Sequence, residues 1–192
     1  MLVSNPQAIS FKELFSLGLA ARGKINRIYL HWSAGRYGQV FDDYHLNIDA
    51  DRTVYKTCRS LTESKSHTYK RSSASIGISL CCCIDAVCFS SGKVELGSQP
   101  PKPKQIEAMA RAVAVLSMAL KLPISFETVT THAEAACMDG YGIGSDDSDM
   151  RWDLLLLPDM PITRTMRPGG VVLRGKALWY LEHFLKKGAS QN

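Results

Sequence analysis

Apolar residues along the chain occur in two kinds of pattern, and the first kind predicts β-strands. Short runs of apolar and β-branched residues are bounded by turn-forming residues, as is typical of strands in a buried sheet. The predicted strands are residues 25–31, residues 41–49 with a hairpin partner at 53–56, residues 75–84 and residues 126–129. The run at 75–84 is almost continuously apolar, which predicts a central strand that is covered on both faces.

Apolar residues spaced three or four positions apart form the second pattern, which predicts helices. The predicted helices are residues 9–21 with Ser10 as the N-cap, residues 103–120, and residues 171–187 after a break at Pro168, Gly169 and Gly170. Polar segments between these elements predict exposed loops. The predicted loops are residues 61–73, residues 92–104, and the glycine- and aspartate-rich residues 139–149.

Length and composition limit the possible classes of protein. A chain of 192 residues suits one domain with a short appendage, and its 45% hydrophobic and 21% charged residues are ordinary for a soluble globular protein. We find no apolar run long enough for a transmembrane helix and no basic region of a secretory signal, so we expect a cytoplasmic product. The net charge of +5 favours an anionic partner, but the basic residues are scattered, which argues against nucleic acid.

The six cysteines do not indicate a disulfide framework. Three of them, Cys81, Cys82 and Cys83, are consecutive, and neighbouring side chains on a strand point to opposite faces. For the same reason they are poorly placed to converge on a metal ion. Since no secretory signal is found, we expect small buried thiols in a reducing compartment.

Two predicted strands run directly into a histidine. His31 ends the strand at 25–31, and His132 follows the strand at 126–129. A single histidine at a strand end is more often a buried residue that caps the strand with a hydrogen bond. Two imidazoles at strand ends, where loops gather, are what a zinc site with one open coordination position requires. His31 and His132 are therefore candidate metal ligands.

The order of these motifs resembles that of the zinc-dependent N-acetylmuramoyl-L-alanine amidases of the phage-lysozyme and peptidoglycan-recognition-protein superfamily. The segments that carry the resemblance are residues 28–34, residues 44–49, His67 before residues 75–79, the helix from Lys104, and residues 131–134. The resemblance implies an α/β fold, with a single domain built on a central mixed β-sheet flanked by α-helices. We assign residues 1–160 to the catalytic domain. Residues 161–192 would form a linker and a helix that either packs on the domain or binds the wall.

The resemblance also implies one zinc ion (Zn2+), held by two histidines and by a third ligand that is Asp or Cys in this family. His31 and His132 match the histidine positions. Asp153 is our choice for the third ligand because Arg151 precedes it by two residues, as a basic residue does in the family. Cys137 is the alternative. The gap from His132 to Asp153 is longer than usual, so residues 139–149 would be an insertion at the rim of the site.

Further roles follow from the resemblance rather than from the residues alone. Tyr44 matches the tyrosine that orients water or hydrogen-bonds the developing oxyanion, although outside the family context it would be a packed strand aromatic. Arg151 stands where a lysine is common and would act electrostatically, because arginine does not readily release a proton. His67, Trp32 and Ser79 are the predicted substrate contacts. Relatives that recycle muropeptides carry a glutamate at the position of Ser79, so this chain departs from that group.

The reaction that the resemblance implies is hydrolysis of the amide between the lactyl group of N-acetylmuramic acid and L-alanine. We expect a monomer that acts on peptidoglycan as a phage or prophage lysis enzyme and reaches the wall after release from the cytoplasm. Two other functions stay open at this point. One is a module that binds muropeptides without cleaving them, and the other is a cytoplasmic amidase that recycles muropeptides.

Overall fold

The computed structural model of the chain describes residues 1–89, 91–158 and 165–189. The boundary that we place between residues 160 and 161 lies outside these described residues. The helices are α1 (Phe11–Ala21), α2 (Pro103–Leu120), α3 (His132–Met138) and α4 (Gly169–Ala189). The strands are β1 (Gln7–Ile9), β2 (Arg27–Trp32), β3 (Leu46–Ile48), β4 (Val54–Lys56), β5 (Ser75–Leu80), β6 (Val87–Cys88), β7 (Val94–Glu95), β8 (Val129–Thr131), β9 (Leu156–Pro158) and β10 (Met166–Pro168).

A mixed β-sheet lies at the centre of the fold. Its strand order is β1-β4-β3-β5-β2-β8, in which β3, β5, β2 and β8 are parallel and β4 and β1 are antiparallel to their neighbours. The pairs β6–β7 and β9–β10 form separate antiparallel ribbons. This architecture confirms the predicted class, an α/β fold with a central mixed sheet and flanking helices.

The two faces of the sheet have different chemistry. Along β5, large apolar residues alternate with Ser75, Gly77 and Ser79, and every residue of the strand is buried. The large residues belong to the hydrophobic core that includes the buried side of α2. Because successive side chains on a strand point to opposite faces, the small residues lie on the other face. The segment that precedes β5 packs there, with the ring of His67 directly over Gly77.

Several predicted boundaries are confirmed and others are corrected. Helix α2 has the predicted bounds, and Ser10 caps α1 with a capping box that includes Glu13. The strand predicted at 41–49 is only three residues long, at β3. Helix α4 begins at Gly169, so the predicted break at Gly169 and Gly170 is instead its first turn.

Two predictions of exposure were wrong. The segment 61–73 lacks regular secondary structure, but Leu61, Lys65, His67 and Thr68 are buried because the segment covers the small-residue face of the sheet. Cys137 is exposed and Cys88 is only partly buried, whereas Cys58, Cys81, Cys82 and Cys83 are buried as predicted. None of the helices in the described part of the chain is long and apolar enough to cross a membrane.

Candidate metal centre and cleft

Parallel pairing of β2 and β8 brings His31 and His132 together. Leu30 lies opposite Thr131 in the register of these strands, so the residue that follows each of them is an imidazole at the same edge of the sheet. His31 Nδ1 and His132 Nδ1 are 3.2 Å apart, and the two rings meet edge to face. The backbone geometry of adjacent parallel strands therefore fixes the separation of the two side chains.

The first turn of α3 orients His132. Thr131 caps this helix by accepting a hydrogen bond from the Glu134 amide, and the Glu134 carboxylate accepts one from the Thr131 amide. Arg174 of α4 then donates two hydrogen bonds of 2.8 Å to the same carboxylate and one to the carbonyl of Val129. Helix α4 thus braces both the strand and the helix turn that hold His132.

Asp153, which follows the 139–149 segment in the sequence, completes the cluster. Its backbone carbonyl accepts a hydrogen bond from the Ala133 amide, which ties it to the start of α3. One carboxylate oxygen lies 3.0 Å from His31 Nδ1 and the other lies 3.0 Å from His132 Nδ1. Leu154 follows with a φ of 60°, so the chain turns sharply just beyond the carboxylate.

Burial and mutual contact perturb the pKa values of this cluster. Burial lowers the pKa of His31 to about 4, although Asp153 opposes the shift. Burial by itself would raise the pKa of Asp153, but its contacts with His132, and then with His31, outweigh burial, so this pKa lies well below its usual range. Asp153 is therefore an anion beside a neutral His31 at neutral pH.

The donor set fits a zinc ion. Two imidazole nitrogens and one carboxylate match the three protein ligands of catalytic zinc sites, which keep a fourth position open. Bonds of about 2.0 to 2.1 Å in a tetrahedron separate the ligand atoms by about 3.3 Å. His31 Nδ1 and His132 Nδ1 are 3.2 Å apart, each lies 3.0 Å from a different oxygen of Asp153, and one ligand atom from each residue gives a set within 4.8 Å. Among the described residues, these three form the group whose ligand atoms are close enough to hold a metal.

Cys137, the alternative third ligand, lies outside that group. It is exposed at the end of α3, with its sulfur beside Gly142. It lines a separate, mostly apolar pocket of about 350 Å³ with Phe126 and Met138. The geometry therefore favours Asp153 over Cys137.

The cluster opens into a cleft of about 890 Å³. One wall is the segment around His67, and the other is the segment from Tyr141 to Asp153. Tyr69 and Tyr141 face each other edge to face across it, with ring centres 5.9 Å apart. Arg71 and Asp139, which lie next to these two wall segments along the chain, form a bidentate ion pair with hydrogen bonds of 2.6 Å.

The predicted substrate contacts occupy different positions relative to this cleft. Trp32 and His67 line it but are each only 4% exposed. Trp32 packs edge to face on Trp152, with ring centres 5.3 Å apart. Ser79 lies opposite His31 in the register of β5 and β2 and is fully buried. Direct substrate contacts by these three residues stay predictions.

Tyr44 and Arg151, the predicted catalytic pair, both line the cleft. The ring of Tyr44 lies 5.0 Å from that of His31. Burial, and then the charge of Asp153, raise the pKa of Tyr44 well above its usual range, so its hydroxyl stays protonated. The guanidinium of Arg151 donates hydrogen bonds to the carbonyls of Asp149 and Met150 in its own segment.

Sequence reasoning missed Thr68. Its hydroxyl lies 3.3 Å from His31 Nε2 and 2.9 Å from His67 Nδ1, although it belongs to a segment that we predicted to be exposed. Gly77 was the available signal, because a glycine within a strand often marks a close approach by another part of the chain. Burial, and then the neighbouring histidines, lower the pKa of His67 to about 2, so this ring is neutral.

The sequence is similar to that of a known protein family. The family model described as N-acetylmuramoyl-L-alanine amidase matches residues 21–149. No curated protein matches the chain. One similar solved structure is the crystal structure of tracheal cytotoxin bound to the ectodomain complex of peptidoglycan recognition proteins LCa and LCx. It is 17% identical, covers 69% of this chain and 77% of that chain, and has a TM-score of 0.40.

The family match contains His31 and His132 but ends four residues before Asp153, the third member of the cluster. The matched segment covers about two thirds of the sequence, from the end of α1 to the segment that forms the far wall of the cleft. The chain belongs to the N-acetylmuramoyl-L-alanine amidase family.

Proposed function

We propose that this protein cleaves the amide between N-acetylmuramic acid and L-alanine in peptidoglycan, with the help of one zinc ion. The observation that carries the proposal is the convergence of His31, His132 and Asp153 at the base of a large open cleft. The family match supports the substrate class. The three side chains would hold zinc, which when bound lowers the pKa of water toward neutrality and polarises a carbonyl.

Residues around the cluster supply the rest of the chemistry. Tyr44 retains its proton, so its hydroxyl is suited to donate a hydrogen bond to an oxygen that gains negative charge during amide cleavage. Arg151 carries a fixed positive charge on the same cleft and would stabilise that oxygen electrostatically. Its guanidinium would first have to leave the carbonyls of Asp149 and Met150.

We further propose that the substrate is the intact wall, as for a phage or prophage lysis enzyme that acts after release from the cytoplasm. A serine at position 79, rather than a general-base glutamate, supports this over muropeptide recycling. We also propose that residues 1–160 form the catalytic domain and that residues 161–192 serve mainly to brace it. The contacts of Arg174 with Glu134 support the bracing role.

The test combines metal analysis with digestion of purified sacculi. The full-length protein is loaded with zinc, and release of new L-alanine amino termini is measured for the unchanged protein, for His132→Ala and for His183→Ala. His183 is the matched control because it lies on α4 and stacks on Trp179, far from the cluster in the sequence and outside the cleft lining. We expect about one zinc per chain and cleavage for the unchanged protein and for His183→Ala, and neither for His132→Ala.

The outcomes separate the alternative functions. Zinc binding and muropeptide binding without any new amino termini would refute hydrolysis in favour of a binding module. Cleavage of soluble anhydro-muropeptides but not of sacculi would refute the lysis role and indicate recycling. Equal cleavage by His132→Ala and the unchanged protein would remove the cluster from the mechanism.

A further inference from the structure

A chain of hydrogen bonds leads from the backbone to Nε2 of His31, the ring nitrogen on the opposite side from the cluster, and the direction of donation is determined at the end of the chain that is farther from His31. Ser75 Oγ donates to the carbonyl oxygen of Arg71 at 3.0 Å, because a carbonyl only accepts. The single Ser75 proton is thus used, so Ser75 must accept at its other contact, which is His67 Nε2 at 3.3 Å. His67 therefore carries its proton on Nε2.

The same reasoning continues through Thr68. A neutral His67 with its proton on Nε2 has a bare Nδ1, which accepts a hydrogen bond of 2.9 Å from the Thr68 hydroxyl. The Thr68 proton is then also used, so its oxygen accepts from His31 Nε2 at 3.3 Å. His31 consequently carries its proton on Nε2 and presents a bare Nδ1 to the cluster.

This tautomer has an electrostatic consequence for the cluster. The bare Nδ1 of His31 lies 3.0 Å from a carboxylate oxygen of Asp153. Two lone pairs at that distance repel each other unless a cation or a proton lies between them. The opposite tautomer would relieve the repulsion in the metal-free protein by donating Nδ1–H to Asp153. Thr68 opposes that relief.

We propose that Thr68, with His67 and Ser75 behind it, is a positioning residue that commits His31 to the tautomer in which Nδ1 is ready to bind a metal cation. The inference rests on the proposed zinc site for its purpose, but the tautomer belongs to the metal-free protein and is measurable without zinc. Partners of this kind fix the ring orientation and tautomer of ligand histidines, and their loss typically weakens metal affinity by about 10-fold to 100-fold.

The chain offers variants that separate the hydroxyl from the fold of its segment. Thr68→Val removes the hydroxyl from a buried position with little change of shape, and Thr68→Ser keeps it. Ser72→Ala is the matched control, because Ser72 Oγ bonds to the backbone carbonyl of Thr68 and takes no part in the chain of side-chain bonds. Ser75→Ala interrupts the chain at its far end and serves if Thr68→Val does not fold.

The first measurement is the protonation pattern of the His31 ring in metal-free protein, by long-range proton–nitrogen correlation with ¹⁵N-labelled histidine. We expect a pyridine-like Nδ1 in the unchanged protein, in Thr68→Ser and in Ser72→Ala. We expect Thr68→Val and Ser75→Ala to move the proton to Nδ1. The second measurement is zinc affinity by chelator competition, where Thr68→Val should be weaker by about 10-fold to 100-fold and Thr68→Ser should be restored.

Each result decides one of the two proposals. A proton on Nδ1 of His31 in the unchanged metal-free protein, or the same tautomer and affinity in Thr68→Val, overturns the positioning role. A tautomer change in Thr68→Val with no zinc binding by any variant supports the positioning role and refutes the proposed zinc site. Loss of affinity in Ser72→Ala equal to that in Thr68→Val would show that loop packing, not the hydroxyl, is responsible.

Discussion

Replacing Gly77 with alanine is expected to displace the ring of His67 and so disturb the proposed metal site, although Gly77 contacts none of the proposed metal ligands. A methyl group at this position would lie 2.5 Å from His67 Cγ, 2.7 Å from its Cδ2 and 2.8 Å from its Cβ. Ordinary contacts between carbon atoms are about 3.5 to 4.0 Å. The ring of His67 must therefore move by roughly 1 Å, and it takes its hydrogen bond to Thr68 with it.

The expected cost follows from packing. Inserting a methylene-sized group into a well-packed interior typically costs about 1 to 3 kcal/mol. Replacing glycine where the new residue meets no obstacle instead stabilises by about 0.4 to 1 kcal/mol, because the unfolded chain loses freedom. We therefore expect Gly77→Ala to lower the free energy of unfolding by about 1 to 3 kcal/mol. For a chain of this length, each kcal/mol corresponds to about 2 to 4 °C in Tm.

Thermal and urea unfolding of the metal-free protein measure this cost, and Gly175→Ala is the control. Gly175 lies on α4 with nothing within 4 Å of the position of a new methyl group, so its substitution should raise stability by about 0.5 to 1 kcal/mol. The double variant Gly77→Ala with His67→Ala tests the cause. Removing the ring makes room for the methyl group. The double variant should therefore be destabilised by about 0.5 to 3 kcal/mol less than the sum of the costs of the two single substitutions.

Zinc affinity gives the functional measure of the same substitution. If His67 holds Thr68 and Thr68 holds His31, then Gly77→Ala should weaken zinc binding although it lies two positions along β5 from Ser79, the neighbour of His31. Additive effects of Gly77→Ala and His67→Ala on stability would refute the steric argument. Unchanged zinc affinity in a clearly destabilised Gly77→Ala would refute the link from His67 to the site.

Three further predictions concern the pH dependence of stability, the alternative ligand Cys137 and the ion pair of Arg174 with Glu134. Burial lowers the pKa of His31 to about 4 and of His67 to about 2, below the 6.5 of the unfolded chain. The unfolded state thus binds more protons, so the free energy of unfolding of the metal-free protein should fall as the pH drops from 6.5 to 4, by up to about 1.4 kcal/mol per pH unit and group. Thermal unfolding at a series of pH values measures this as a falling Tm. Cys137→Ser should leave zinc content unchanged in metal analysis, because Cys137 lies outside the cluster; loss of zinc would restore it as the third ligand. Arg174→Gln should lower the free energy of unfolding by about 1.5 to 3 kcal/mol in urea and weaken zinc binding, because Glu134 then loses a charged partner next to His132; an unchanged Tm would refute the bracing role.

The sequence could predict the histidines because local patterns determine them. A β-prone run that ends on His31, and a second that precedes His132, place each imidazole at a strand end without any knowledge of distant contacts. That the two strands are neighbours depends on the register of β2 and β8, which local patterns do not contain. The family resemblance supplied that information, and the structure brings the rings within 3.2 Å.

The covering segment was harder to predict because its burial depends on the sheet beneath it. Residues 61–73 are polar, and polarity alone predicts an exposed loop. The decisive signal was in β5, where Ser75, Gly77 and Ser79 alternate with large apolar residues. We interpreted this strand as part of an almost continuously apolar run, although its small residues leave room on one face for the rings of His67 and His45. His45 is held there by hydrogen bonds with the Gly77 amide and the Glu63 carbonyl.

Some residues of the proposed site, including Asp153, lie beyond the segment that the family model matches. The family match ends at residue 149, and the third proposed ligand and the brace from Arg174 both come later. Leu173 of α4 is fully buried in the same core as the sheet, so α4 contributes to the fold that holds His132. A carboxylate between two imidazoles is costly to bury unless all three are held in place. We therefore infer that the matched segment alone would not form a competent site, and that the residues after it are needed to complete and to hold the cluster.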